Sequence, residues 1–228
     1  MIASVQRIQI GAGQSVPVLF CRPAPAHACL VLAHGAGAGM RHWFLDAFSL
    51  KAAERGIATL RFQFPFIEEG KKRPDTPAVA HATIRAAVAE ATRLAPDLPL
   101  FAGGKSFGGR MTSQAQANSP LPGVTGLVFV GFPLHPVGRP STERAKHLND
   151  VKVPMLFLQG TRDGLCDLSQ LRSAVDRLGR PTTIHLLEGA DHAFHIPARS
   201  GRTDEEIRRE MIDVLDGWIR SIPQKAAR

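Results

Sequence analysis

Continuous apolar runs alternate with amphipathic stretches along most of this chain, and that alternation predicts its elements. Ile2 to Ile10 alternates loosely and suits an edge strand; Gly11-Ala12-Gly13 reads as a turn and Val16 to Cys21 as the second arm of a hairpin. Ala28 to Ala33 is apolar throughout, as expected of a strand buried on both faces of a parallel sheet. Trp43 to Arg55 has helical spacing, with Trp43, Phe44, Ala47, Phe48 and Leu50 expected inward and Gly56 as the stop. Ile57 to Phe64 is the next strand. Thr76-Pro77 opens an alanine-rich helix that runs to about Ala95, the proline sitting at the first helical position.

The second half repeats the alternation. Leu98 to Ala102 is a short buried strand, Arg110 to Asn118 a helix, and Val124 to Gly131 another buried strand. Phe132 to Asp150 is a loop-rich connection broken by Pro133, Pro136 and Pro140, with room for a few turns at most. Pro154 to Gly160 and Pro181 to Leu187 read as strands, with an amphipathic helix at Leu168 to Leu178 between them. In the last helix, Glu205 to Arg220, the stripe Ile207, Met211, Val214, Leu215 and Trp218 is core packing. Gln224 to Arg228 is expected to fray. Strands alternating with helices after a hairpin imply an α/β fold: a doubly wound, mostly parallel sheet with an N-terminal antiparallel hairpin and helices on both faces. With no repeat or linker in view, residues 1–228 are expected to form a single domain without a sizeable lid.

Composition and charge alter this little. The formal charge is +8, but the basic residues are scattered, with Lys71-Lys72-Arg73 as the tight cluster, so no nucleic-acid partner is expected. The segment Glu68 to Asp75 reads as a solvated loop near the catalytic edge, with a part in shaping a substrate mouth as the alternative. The N-terminus lacks a basic region followed by an apolar stretch, and no apolar segment approaches membrane-spanning length. Cys21, Cys29 and Cys166 are odd in number and show no metal spacing. They read as reduced thiols, at least one of them buried, in a cytoplasmic protein with no membrane partner.

Candidate chemistry sits at the turns that follow strands. Gly104-Lys105-Ser106-Phe107-Gly108 is a G-x-S-x-G pattern in a strand–turn–helix context. Such a turn lifts a serine Oγ above the sheet edge, and the new helix aims its N-terminal N–H groups, Phe107's among them, at a developing oxyanion. His34-Gly-Ala-Gly-Ala-Gly39 lacks the endings of a P-loop or a dinucleotide fingerprint, and it offers the N–H of Ala36 as a second donor. A serine needs a base, and the base needs a carboxylate to hold its tautomer. His192, after the short turn that follows the 181–187 strand, is the preferred base of nine histidines, with His195 in reserve. His34 reads as a brace of its own turn, and His135 as a possible substrate contact. Asp163 is the preferred acid, Asp167 its rival and Asp191 a distant third, because adjacent side chains rarely face each other. Ala36, Ser106, Asp163 and His192 all fall just past strand ends, where ligands of such sheets bind.

From Leu30 to about Trp218 the chain resembles a small, lidless α/β-hydrolase. Gly-Lys-Ser-Phe-Gly-Gly-Arg at 104–110 and His-Gly-Ala-Gly-Ala-Gly at 34–39 resemble the dienelactone-hydrolase-like branch, and Gly160-Thr-Arg-Asp163 and Gly189-Ala-Asp-His192 are similar to its acid and base turns. Ser106 stands where dienelactone hydrolases carry a cysteine, and Lys105 stands where a hydrophobic residue or histidine is usual. Lys105 reads as packing its stem on the sheet, with attraction of anionic substrates as the alternative. The resemblance implies a serine hydrolase of ester or thioester substrates, acting through Ser106, Asp163 and His192 with Ala36 and Phe107 as oxyanion donors, and with no metal or organic cofactor. A non-catalytic interaction protein on the same fold is one rival. Thioesterase, peptidase or acyltransferase chemistry is the other, since one triad serves them all.

Overall fold

A computed structural model describes residues 4–11, 13–179 and 181–223. The expected tail Gln224 to Arg228, and Ile2 at the start of the first strand, lie outside the described residues. Among the described residues, eight strands form one sheet: β1 (Ser4–Gly11), β2 (Gln14–Cys21), β3 (Ala28–Ala33), β4 (Ile57–Phe62), β5 (Leu100–Lys105), β6 (Val124–Val130), β7 (Met155–Gly160) and β8 (Thr182–Leu187). Their spatial order is β1-β2-β4-β3-β5-β6-β7-β8, antiparallel at β1–β2 and β2–β4 and parallel from β4 to β8. The helices are α1 (Trp43–Glu54), α2 (Pro65–Glu68), α3 (Pro77–Leu94), α4 (Phe107–Asn118), α5 (Leu168–Asp176) and α6 (Asp204–Ser221). A 3-10 helix at Glu143–Asp150 occupies the proline-rich connection.

The alternation of side chains along each strand splits the core in two. Cys29, Val31 and Ala33 of β3 face one cluster, which includes Ile84 and Val88 of α3, Met111 and Ala115 of α4, and Leu171 of α5. Ala28, Leu30 and Leu32 face the other, which includes Phe44 and Phe48 of α1 and Met211 and Leu215 of α6. Both faces of the parallel strands are therefore covered, which explains their unbroken apolar runs.

Several expectations need correction. Trp43 and Leu50 are 56% and 53% exposed, and Leu45 takes the buried place instead. At 3.6 residues per turn, a stripe centred on Phe44, Phe48 and Ala52 has Leu45 on its flank and turns positions 43 and 50 to the opposite face. Strand β5 extends to Lys105, and α4 starts at Phe107 rather than Arg110, so the turn between them is a single residue.

Registry places the site. Ala33 pairs with Gly104, Lys105 with Val130, and Gly160 with Leu187. The carboxyl ends of β3, β5, β7 and β8 therefore lie along one sheet edge. The chain runs from β3 to β4 on one side and returns to β5 on the other, so the crevice between β3 and β5 is the topological switch point where such sheets bind ligands.

Candidate active site

Ser106 is the whole turn between β5 and α4. Its φ of 50° and ψ of −114° put a non-glycine residue in a sparsely populated region, a strain of roughly 1–3 kcal/mol that the surrounding packing must hold. The glycines beside it are needed for close approach. A Cβ on Gly104 would lie 2.4 Å from the carbonyl oxygen of Ala33, and one on Gly108 would lie 2.5 Å from that of His34. The backbone bond that opens α4 runs from Arg110 N–H to Ser106 C=O, 3.1 Å. The amides of Phe107, Gly108 and Gly109 precede it and lack intrahelical acceptors, at the positive end of the helix dipole.

A continuous hydrogen-bonded chain leaves the serine. Ser106 Oγ is 2.9 Å from His192 Nε2, and His192 Nδ1 is 2.7 Å from Asp163 Oδ2. The carboxylate accepts, so Nδ1 carries the proton and Nε2 is left as the acceptor for the hydroxyl. Asp163 Oδ2 also accepts from Gln159 Nε2 at 2.6 Å, and Oδ1 accepts from the Leu165 amide at 2.8 Å. Its side chain is fully shielded from solvent, so these donors replace water around the charge.

The other candidates lie apart from this chain. Asp167 caps α5, accepting from the Gln170 amide and the Ser169 hydroxyl, bonds that hold its carboxyl below the usual range. Asp191 accepts from the amides of Ala193 and His195 and shapes the base turn. His195 is exposed and pairs with Asp204, which raises its pKa. His135, read as a possible substrate contact, is instead buried. Its Nδ1 donates to the Pro136 carbonyl and its Nε2 accepts from the Asp167 amide, so it braces the acid-bearing loop. His34 does brace its own turn. Nδ1 donates to the Gly35 carbonyl, Nε2 accepts from the Phe64 amide, and burial pushes its pKa down to about 4.

Sequence reasoning passed over Gln159, Arg61 and Gln63. Gln159 is fully buried, donating to Asp163 while its Oε1 accepts from the Phe132 amide. Its one available signal is a polar side chain inside the apolar run of β7, which burial obliges to find partners. Arg61 bonds the Met40 carbonyl and Asp46, and Gln63 accepts from the Met40 amide; both fix the turn that carries Ala36.

Ser106 and His192 open on a cleft of about 650 Å³, whose lining includes Ala36, Ala38, Trp43, Phe44, Leu45 and Ala193. The lining is mostly apolar. Gly35 lies against the elbow: a Cβ there would sit 3.8 Å from Ser106 Cβ. Lys71, Lys72 and Arg73 are exposed and are not among the cleft residues, so that segment is a solvated loop. Among the described residues, no three His, Cys, Asp or Glu side chains are gathered to hold a metal, and no helix is long and apolar enough to cross a membrane. Cys21, Cys29 and Cys166 are buried.

A strained serine elbow at the switch point of an eight-stranded sheet, bonded to a histidine from the last strand's turn, defines an α/β protein of the serine-hydrolase type. A family profile described as "Alpha/beta hydrolase domain" matches residues 26–220, and the chain belongs to that family. Solved structures agree on the fold. A dienelactone hydrolase from Anabaena variabilis is 18% identical with a TM-score of 0.79, over 98% of this chain and 99% of that one. An alpha-beta serine hydrolase homologue from Coxiella burnetii is 21% identical with a TM-score of 0.75, over 94% and 98%. A serine hydrolase without lid from Xanthomonas campestris is 19% identical with a TM-score of 0.72, over 98% and 96%.

Proposed function

We propose that this protein is a serine hydrolase that cleaves an ester or thioester of a small to medium acyl substrate through an acyl-enzyme. The observation that carries the reading is the unbroken chain from Ser106 Oγ through His192 to the buried carboxylate of Asp163. In this scheme His192 Nε2 takes the hydroxyl proton as Oγ attacks the carbonyl carbon. Asp163 holds the ring and steadies the imidazolium. The amides of Phe107 and Ala36 receive the tetrahedral oxyanion, each donor lowering the barrier by ~3 kcal/mol. The tetrahedral intermediate then collapses: the bond to the leaving group breaks, and His192 gives that group its proton. Water repeats the sequence on the acyl-enzyme, releasing the acid and restoring Ser106.

The apolar cleft supports an uncharged acyl group, and its open mouth tolerates a bulky one. Dienelactone turnover is not part of the proposal, since a serine occupies the nucleophile position. Fluorophosphonate labelling of the wild type and of Ser106→Ala, beside hydrolysis of p-nitrophenyl esters of several chain lengths, tests the scheme. Wild type should label and turn over, and the substituted protein should do neither. Absent labelling, or labelling that survives the substitution, would favour a non-catalytic role for the fold.

A further inference from the structure

Lys105, a half-buried residue that lines the same cleft as Ser106 and His192, carries an ammonium that the acyl-transfer scheme leaves without a part. Its backbone ends β5 beside Ser106, yet its side chain crosses to another loop. Nζ donates to the main-chain carbonyl of His192 and lies 4.8 Å from the centroid of the Phe194 ring and 5.8 Å from that of Phe44. Gly131, just past β6, borders both groups: a Cβ there would lie in ordinary van der Waals contact, 3.4 Å from Nζ and 3.5 Å from the His192 ring. The charged and titratable groups that face the ammonium are Asp163 after β7, and Asp191 and His192 after β8. The groups beside it from α1 and from the end of β6 are Phe44 and Gly131, which do not titrate.

We propose that Lys105 is a positioning residue: its hydrogen bond to His192 ties the base-bearing turn to the serine elbow and sets the reach between Oγ and Nε2. Neither of the earlier readings, an apolar stem on the sheet or a lure for anionic substrates, accounts for an ammonium bonded to that carbonyl. Two observations favour such a tie. The strands that carry elbow and base are not neighbours, since β6 and β7 lie between β5 and β8, so the backbone ladder sets one turn against the other only through two intervening strands. The base turn also holds Phe194 at a φ of 65°, a conformation that a bulky residue keeps only when its surroundings enforce it. Asp191 holds that turn from within, and Lys105 holds it from the nucleophile's side. The inference rests on the proposed acyl-transfer role of Ser106 and His192.

Lys105→Met keeps the stem and removes the donor. It should lower kcat roughly 10- to 100-fold, as expected for reacting groups displaced by about 1 Å, while leaving KM within about twofold. Replacing Lys105 by cysteine and alkylating the introduced thiol with 2-bromoethylamine rebuilds a side chain of nearly the same length with a terminal ammonium. That treatment should restore most of the rate, with identically treated wild type as the control, and it supplies the comparison if the methionine variant does not fold. Burial pushes the Lys105 pKa down to about 8, against the opposing pull of Asp163 and Asp191. The ammonium is present below that pH and lost above it, so wild-type kcat should fall through about pH 8 by a limb that the methionine variant lacks. The proton NMR signal of His192 Nδ1–H, bonded to Asp163, should shift or broaden in the variant even without substrate. A wild type that turns over no ester would count against the proposed function, and this signal then judges the tie alone. An unaltered signal, or a variant whose kcat stays within about twofold of wild type, would overturn the positioning role.

Discussion

Asp163 and Asp167 lie four positions apart, and their surroundings give them opposite work. Asp163 is sealed from solvent and accepts from His192, Gln159 and the Leu165 amide, whereas Asp167 sits at the surface and caps α5. Asp163→Asn would present an amide to Nδ1 and favour the wrong imidazole tautomer. Turnover should fall by about 10⁴-fold with the fold intact, checked by p-nitrophenyl ester kinetics beside circular dichroism. Asp167→Asn should leave kcat close to wild type; a collapse there instead would reverse the assignment. At this scale the motif spacing and chain order were enough to choose Ser106, Asp163 and His192 as candidates. The parts of Gln159, His135 and Lys105 were not legible, because each depends on what a side chain meets across the sheet rather than on its neighbours in the chain.

The serine elbow works as an element because strand, turn and helix meet with almost no space between them. The Cβ of an alanine at position 108 would lie 2.5 Å from the His34 carbonyl and 2.7 Å from the Ala33 carbonyl carbon, both backbone atoms that cannot swing aside. Gly108→Ala should therefore cost about 1–3 kcal/mol, read as a lower urea midpoint, and should depress ester turnover more than stability because it displaces the elbow itself. Gly217→Ala, in the exposed interior of α6 where nothing lies within 4 Å, should stabilise by about 0.5–1 kcal/mol and leave turnover unchanged. Equal effects at the two positions would contradict the close-approach argument. Element type was largely readable from the period of apolar positions. Boundaries and phase were less so: α4 begins as soon as the turn allows, and α1 hides Leu45 rather than Trp43 because its packing on α6 and the sheet selects the face centred on Phe44 and Phe48.

For the whole molecule, a buried and a half-buried histidine tie stability to pH. Burial holds His34 at about pKa 4, below the roughly 6.5 of an unfolded chain. As pH falls from about 6.5, the unfolded state takes up a proton that the folded state refuses until about pH 4. Stability is thus full above about pH 6.5 and declines down to about pH 4, by roughly 3 kcal/mol for His34 if the whole difference is realised. His147 acts in the same direction, pushed down to about 4 by burial first and then by Arg110 and His81. Urea midpoints at pH 7.5, 5.5 and 4.5 should fall steadily, and His147→Gln should flatten part of that slope. A midpoint that holds constant over this range would remove both histidines from the account.

By itself the amino-acid sequence determined the run of strands and helices, the glycine-flanked serine between a strand and a helix, and the order of serine, aspartate and histidine, because each is written in local propensity and period. Tertiary structure alone decided which carboxylate faces which imidazole and where the Lys105 ammonium ends. Ser106 and His192 are 86 positions apart and meet only because the registry of β5 through β8 brings their turns to one edge. Distance across a sheet is set by pairing and packing between remote strands, and no local pattern encodes it.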